Sequence, residues 1–317
     1  DPYDRFRSNQ FNAVQYLMEW VRDPDAPPFA AVLGEIGSGK TTTLKMLTAA
    51  LIEEADSPPI IFIDLRDYFS ADEPKLEDLI AEHLRRYDTE KSLSVEELLR
   101  VVREQNGLII FDGLDEKIIS LGEAARQNFI RELWRILPAE ILDRPASEGR
   151  GKLIISCRSH YFSSVQSQQS GYLAHDRSAV TANDYLACIM LPWQDEQIRD
   201  YLAGCVGEDK VEMALELIET IHNLKDLSSR PYLLNLIGPE LEALEKERAS
   251  GRPINAASLY DQFIERWFAR DEGKHVFTPV HKRRLMEQLA ADLWRDNARE
   301  WPWELVEEWL DEFLYSH

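Results

Sequence analysis

Gly34-Glu35-Ile36-Gly37-Ser38-Gly39-Lys40-Thr41 matches G-x-x-x-x-G-K-[ST], the spacing of a phosphate-binding P-loop. At ordinary glycine frequency, a chance match in a chain of this length is about one in a hundred. The flanking sequence agrees with the motif. Phe29-Ala30-Ala31-Val32-Leu33 reads as a buried strand before it, and the stretch from Lys40 to Glu54 as a helix after it. The glycines let successive N–H groups turn inward around phosphate oxygens, and the helix N terminus adds a favourable dipole. In such a cradle, Lys40 reaches the β- and γ-phosphates and the Thr41 hydroxyl holds Mg²⁺. Thr42 is placed to reach the α-phosphate through its N–H and hydroxyl.

Three further segments bear on chemistry. Leu108-Ile109-Ile110-Phe111-Asp112 is an apolar run ending in a carboxylate, which makes Asp112 the expected second Mg²⁺ partner. Asp115 and Glu116 follow closely. One of this pair is expected to orient or deprotonate an attacking water; the plainer reading is that both cap the next turn. Lys152-Leu153-Ile154-Ile155-Ser156-Cys157-Arg158 is another strand with a polar end. Arg158 would point into the crevice at the carboxyl ends of the strands, where it senses a γ-phosphate or forms a surface salt bridge.

The first 191 residues alternate short apolar runs with amphipathic stretches, as in a parallel α/β sheet. Phe11, Val14, Leu17, Met18 and Val21 recur at helical spacing, with Asp23-Pro24 and Pro27-Pro28 ending that helix. Ile60-Ile61-Phe62-Ile63, Leu108–Phe111 and Leu153–Ile155 read as strands buried on both faces, and Cys188–Leu191 as a last strand. After Pro192 the texture becomes helical: Trp193–Leu202, Val211–Ile221, Pro231–Leu244, Leu259–Phe268, His281–Leu293 and Glu304–Phe313. These shifts divide the chain into residues 1–191, 192–250 and 251–317, the second break resting on Ser250-Gly251-Arg252-Pro253. Residues 163–170 (SSVQSQQS) read as a polar loop.

Composition excludes several classes. The net charge of −21 argues against broad contact with a phosphate backbone, which depends on Lys and Arg releasing counterions. The basic run His281-Lys282-Arg283-Arg284 reads as a solvated helix face. Apolar runs are far shorter than the ~20 residues needed to span a bilayer. Three cysteines, Cys157, Cys188 and Cys205, make no disulfide framework, which fits a reducing cytoplasm. Cys157 and His160 have C-x-x-H spacing but no second ligand pair, so a buried thiol beside a loop histidine is expected. Trp301, Trp303 and Trp309, with Leu305, Val306 and Leu310, read as a helix packing face. The chain begins with Asp1 rather than Met, so a piece of a longer protein is expected.

GEIGSGKT, LIIFDGLDE and LIISCRSHYF, in that order, resemble the NACHT branch of the STAND NTPases, signal-transduction P-loop ATPases. The closest resemblance lies in Asp112-Gly113-Leu114-Asp115-Glu116. Residues 60–68 (IIFIDLRDY) are similar to the second strand of that branch, and Ser229-Arg230-Pro231-Tyr232-Leu233-Leu234 to the helical segment whose proline packs on adenine. Leu259–Ile264 is similar to the start of the next helical element. The resemblance implies a P-loop NTPase sheet flanked by helices, then a small helical domain and the start of a winged-helix-like domain. It implies ATP/ADP and Mg²⁺ as ligands, with ADP holding a closed state and ATP permitting self-oligomerisation. It further implies effector and sensor domains outside this chain, slow ATP hydrolysis as a reset, and a defence-related role. The branch's phosphate-sensing histidine has no counterpart at the usual place: His281 is early and His317 is the last residue.

Other nucleotide readings fit less well. The segment nearest a guanine-specificity element, Asn223-Leu224-Lys225-Asp226, has the wrong spacing. No Ser-Gly-Gly transporter signature precedes Asp112, and no basic track serves a nucleic-acid motor. The alternative function is a nucleotide-dependent scaffold that binds tightly and turns over negligibly.

Overall fold

In a computed structural model, the chain is described over residues 10–68, 75–88, 93–118, 121, 123–142, 150–159, 185–220, 224–241, 246, 261, 264–265, 268, 277–296, 298, 301 and 303–316. The loop at 163–170, His160, the break at 250–253, the start of the Leu259–Phe268 helix and His317 lie outside these residues. The chain divides into two compact units, Asp1–Ile198 with Asp226–Leu234, and Arg199–Lys225 with Asn235–His317.

The first unit is an α/β layer structure. Its strands are β1 (Phe29–Leu33), β2 (Ile60–Asp64), β3 (Leu108–Asp112), β4 (Lys152–Cys157) and β5 (Tyr185–Ile189). They form one all-parallel sheet in the order β2-β3-β4-β1-β5. Its helices include α1 (Ala13–Arg22), α2 (Lys40–Ile52), α3 (Leu76–Tyr87), α4 (Val95–Glu104), α5 (Leu114–Ile118), α6 (Glu123–Trp134) and α7 (Ala139–Leu142).

Strand alternation sorts the core into two layers. Phe29, Ala31, Leu33, Ile109, Phe111, Leu153 and Ile155 face α3, α4 and α6, where they meet Ile80, Val102, Phe129 and Trp134. Ala30, Val32, Leu108, Ile110 and Ile154 face α1 and α2 and pack on Leu17, Trp20, Leu44, Leu47 and Leu51. The three central strands are buried throughout, as continuous apolar runs require. β2 departs from that expectation: it is an edge strand and, apart from Ile63, only partly buried.

Local caps and register correct three boundaries. Asn12 accepts hydrogen bonds from the N–H groups of Val14 and Gln15 and starts α1, so Phe11 lies before the helix, exposed and stacked on Tyr16. β5 begins at Tyr185, in register with Phe29, rather than at Cys188. The expected helix from Pro231 runs to Ile237 and tightens into a 3₁₀ turn, Gly238–Glu240.

Lys152 ties α1 to the amino end of β4. Its buried ammonium donates to the carbonyls of Trp20, Val21 and Asp23, the last turn and cap of α1, and lies 4.9 Å from the Trp20 ring centroid. A cation there also complements the helix dipole. Burial lowers the Lys152 pKa to about 8. Lys152→Met leaves those carbonyls without their donor and is expected to lower unfolding stability by about 2 kcal/mol. The folded-state pKa lies below the unfolded value, so between about pH 8 and 10.5 the unfolded chain holds the proton more firmly. Wild-type stability rises through that window relative to the variant, and the gap between their urea midpoints should widen there.

The second unit is helical. The chain enters it within α8 (Asp195–Val206) and continues through α9 (Val211–Thr220), which buries Val211, Ala214, Leu217 and Ile218. The short helices α10 (Leu224–Ser228) and α11 (Pro231–Ile237) each run across a unit boundary. α12 (Pro279–Arg295) and α13 (Trp303–Ser316) are joined by a hydrogen bond from Trp309 Nε1 to Asp292 Oδ2 at 2.9 Å. Trp309 is flanked by the rings of Trp301 and Phe313, whereas Leu305, expected on the same packing face, is exposed. Within the basic run, Arg283 is engaged by Asp261, Glu265 and Glu287. Among the described residues, no helix is long and apolar enough to cross a membrane.

Candidate nucleotide site

The strand order brings the motif residues together. β1 and β3 are not neighbours; β4 lies between them, so their carboxyl ends frame that of β4. The loop after β1 is tied to this edge through Gly34 N–H, which donates to the Cys157 carbonyl at 3.3 Å.

The loop has the conformation its glycines permit. Gly37 and Gly39 have φ of 78° and 93°, in the left-handed region that side chains disfavour. Gly39 is the N-cap of α2 and provides no side-chain cap, which leaves the first turn open to an outside acceptor. Ser38 Oγ is buried with no hydrogen-bond partner among the described residues. A buried hydroxyl of this kind carries a desolvation cost that an incoming anion relieves. Lys40 Nζ donates to the carbonyls of Gly34 (2.7 Å) and Glu35 (3.1 Å), folding back over the loop. Burial draws its pKa below the ordinary lysine value, and Asp115 partly offsets this. The Glu35 side chain accepts from Ser159 Oγ at 3.0 Å, while Ile36 is exposed.

Thr41 and Asp112 meet across the sheet edge. Thr41 Oγ1 donates to Asp112 Oδ2 at 2.7 Å, which leaves the hydroxyl lone pairs free to face a cation. Asp112 is fully buried, and its other oxygen accepts from Ser156 Oγ. Ser156 Oγ in turn accepts from Gly113 N–H at 2.9 Å, pinning the turn that follows β3. A hydroxyl and a carboxylate are hard oxygen donors suited to Mg²⁺. The donor set and the unpartnered Ser38 hydroxyl therefore fit an Mg²⁺–phosphate ligand.

Asp115 and Glu116, in the first turn of α5, have different surroundings. Asp115 is buried, and its Oδ2 lies 2.8 Å from Arg158 Nε in an ion pair. Glu116 is exposed over 44% of its side chain, 3.6 Å from Arg66 Nη1. Cys157 is a free buried thiol whose pKa burial pushes up to about 12, so it remains protonated near neutral pH.

Pro231 and Tyr232 lie against the loop. Tyr232 N–H donates to the Gly37 carbonyl at 3.2 Å, and Pro231 Cγ is 3.9 Å from where a Gly39 Cβ would stand. Trp193 N–H donates to the Ser229 carbonyl, holding the same segment from a second side. Thr42, in the first turn of α2, is exposed.

Three contributors escaped the sequence reading: Arg66, Ser156 and the Tyr232 backbone. Arg66 and Ser156 stand at or just beyond the carboxyl ends of strands, where open α/β sheets gather ligand contacts, and that position was their available signal. Nothing local marked Tyr232 N–H.

Residues 23–156 match a family model described as an AAA domain. Among solved structures, the chain is similar to domain III of the Thermotoga maritima replication initiation protein DnaA, at 12% identity and a TM-score of 0.41, covering 79% of this chain and 89% of that one. It is also similar to Rif2, solved in complex with the C-terminal domain of Rap1, at 14% identity and a TM-score of 0.37, covering 79% and 80%. With its P-loop and parallel sheet, the segment 23–156 is thus similar to the AAA domain, a family of P-loop NTPases.

Proposed function

We propose that this chain is the nucleotide-binding module of a NACHT-type STAND ATPase, a switch that binds ATP or ADP with Mg²⁺ and hydrolyses ATP slowly. Support for the switch comes from the hydrogen bond between Tyr232 N–H and the Gly37 carbonyl. It joins the segment Ser229–Leu234 directly to the phosphate loop, so a change at the phosphates alters the seat of that segment. Gly34, Glu35, Ile36, Gly37, Ser38 and Gly39 cradle the phosphates, Lys40 holds the β/γ oxygens, and Thr42 reaches the α-phosphate. Pro231 supports the base.

Thr41 and Asp112 hold the metal. When bound, Mg²⁺ supplies charge neutralisation on the β- and γ-phosphates. Glu116, exposed and 3.6 Å from Arg66, orients water at the γ-phosphate and takes up its proton. Asp115 keeps Arg158 at the sheet edge, from which the guanidinium reaches the γ-phosphate. Two arginines already committed to carboxylates account for slow turnover, since a free arginine supplied in trans adds ~10³–10⁵ in rate. Hydrolysis then resets the switch, and assembly is its output.

Light scattering on the purified chain tests the switch reading. A non-hydrolysable ATP analogue with Mg²⁺ should raise the mean mass above that with ADP and Mg²⁺. Equal masses in both states would remove nucleotide-controlled self-association from the account.

A further inference from the structure

Arg66 is the cation seated on the metal-side carboxylate. It follows β2, in the 3₁₀ turn Leu65–Asp67, and its Nη2 lies 3.1 Å from Asp112 Oδ2. The guanidinium is anchored from behind by Asp64, which accepts from Nε at 2.7 Å, from Nη2, and from the Arg66 backbone N–H. Its third nitrogen faces Glu116. The backbone makes room for it: Gly113 has φ of 81°, and a Cβ there would stand 3.3 Å from Arg66 Cγ. One planar fork thus bridges Asp64, Asp112 and Glu116, the geometry for which arginine is better suited than lysine.

The charges give this arrangement a consequence. Asp64, Asp112 and Glu116 contribute three negative charges, and Arg66 returns one. Asp112 Oδ2 accepts from both Thr41 and Arg66, so that oxygen is shared between the phosphate-loop helix and a competing cation.

We propose that Arg66 is a positioning residue that competes with Mg²⁺ for Asp112 and so sets the Mg²⁺ concentration at which the nucleotide site loads. Asp64 holds the guanidinium beside the site when it leaves Asp112, where it pairs with Glu116 and keeps that side chain at the mouth of the site. This rests on the reading of Asp112 as the metal-side carboxylate.

The test is a titration of Mg²⁺ into the chain with a fluorescent ATP analogue, reading the half-saturating Mg²⁺, together with unfolding temperature in Mg²⁺ without nucleotide. Arg66→Gln should lower the half-saturating Mg²⁺ about tenfold, because a unit positive charge beside a divalent cation near the surface is worth at least that much. It should also make the unfolding temperature rise more steeply with Mg²⁺ than in the wild type. Asp64→Asn removes a negative charge and frees the guanidinium for Asp112, and should raise the half-saturating Mg²⁺ about threefold. Opposite shifts in the two variants support competition, and either variant alone decides the sign if the other fails to fold. An unchanged midpoint means that Arg66 only stabilises the turn, and a higher one in Arg66→Gln means that it helps to build the metal site; both overturn the proposal. If wild-type binding shows no Mg²⁺ dependence at all, the reading of Asp112 fails first and this proposal falls with it.

Discussion

Lys40→Ala is expected to weaken ATP binding by about a hundredfold or more while leaving the fold intact. The lysine sits in the first turn of α2 and already donates to two loop carbonyls, so its ammonium is positioned before any phosphate arrives. A charge-assisted hydrogen bond to a phosphate contributes roughly 1.5–3 kcal/mol, and more than one such bond is lost here. Alanine is the best helix former, so α2 itself should not suffer. The ammonium is drawn below its ordinary pKa by burial, so the substitution also removes a half-buried charge, and unfolding temperature should change little. Calorimetric titration with ATP and Mg²⁺, alongside a thermal melt, checks both halves. Retained affinity would place the phosphates elsewhere.

Glu116→Gln should give the second large effect, lowering ATP turnover about a hundredfold while keeping affinity within about threefold. General-base assistance contributes typically 10²–10⁴ in rate. Glu116 is the exposed member of the acidic pair, with Arg66 only at the edge of ion-pair range. Asp115→Asn should behave differently. That carboxylate is buried against Arg158, so its loss leaves a half-buried guanidinium unpaired and lowers stability as well as turnover. Single-turnover release of labelled phosphate, with binding measured on the same samples, separates the two variants. If Glu116→Gln hydrolyses as fast as the wild type, the acidic pair serves only the start of α5, and the scaffold reading with negligible turnover gains ground.

The parts of this architecture that rest on neighbouring residues were legible in the sequence. The glycine-rich turn between an apolar run and a helix has one conformational solution, and β1, the loop and α2 follow it. Asp112 was legible for the same reason, as a carboxylate ending an apolar run. Features that depend on strand order were not. Arg66 reaches Asp112 because β2 lies beside β3, and Ser156 because β4 lies on the other side; neither adjacency is encoded within any one strand. Apolar periodicity also ran past Asn12, where a cap decided the helix start, and misjudged β2, whose Ile-rich run occupies an edge. Family resemblance alone points to Pro231; the backbone contact of its neighbour Tyr232 with Gly37 is a tertiary fact.

The central claim is that this edge of the sheet binds an Mg²⁺–nucleotide. Equilibrium titration of the purified chain with ATP, in the presence of Mg²⁺ and again in the presence of a chelator, tests it most directly. The account predicts one site of micromolar or tighter affinity with Mg²⁺, at least about tenfold weaker without it. No binding at millimolar ATP with Mg²⁺ would contradict it.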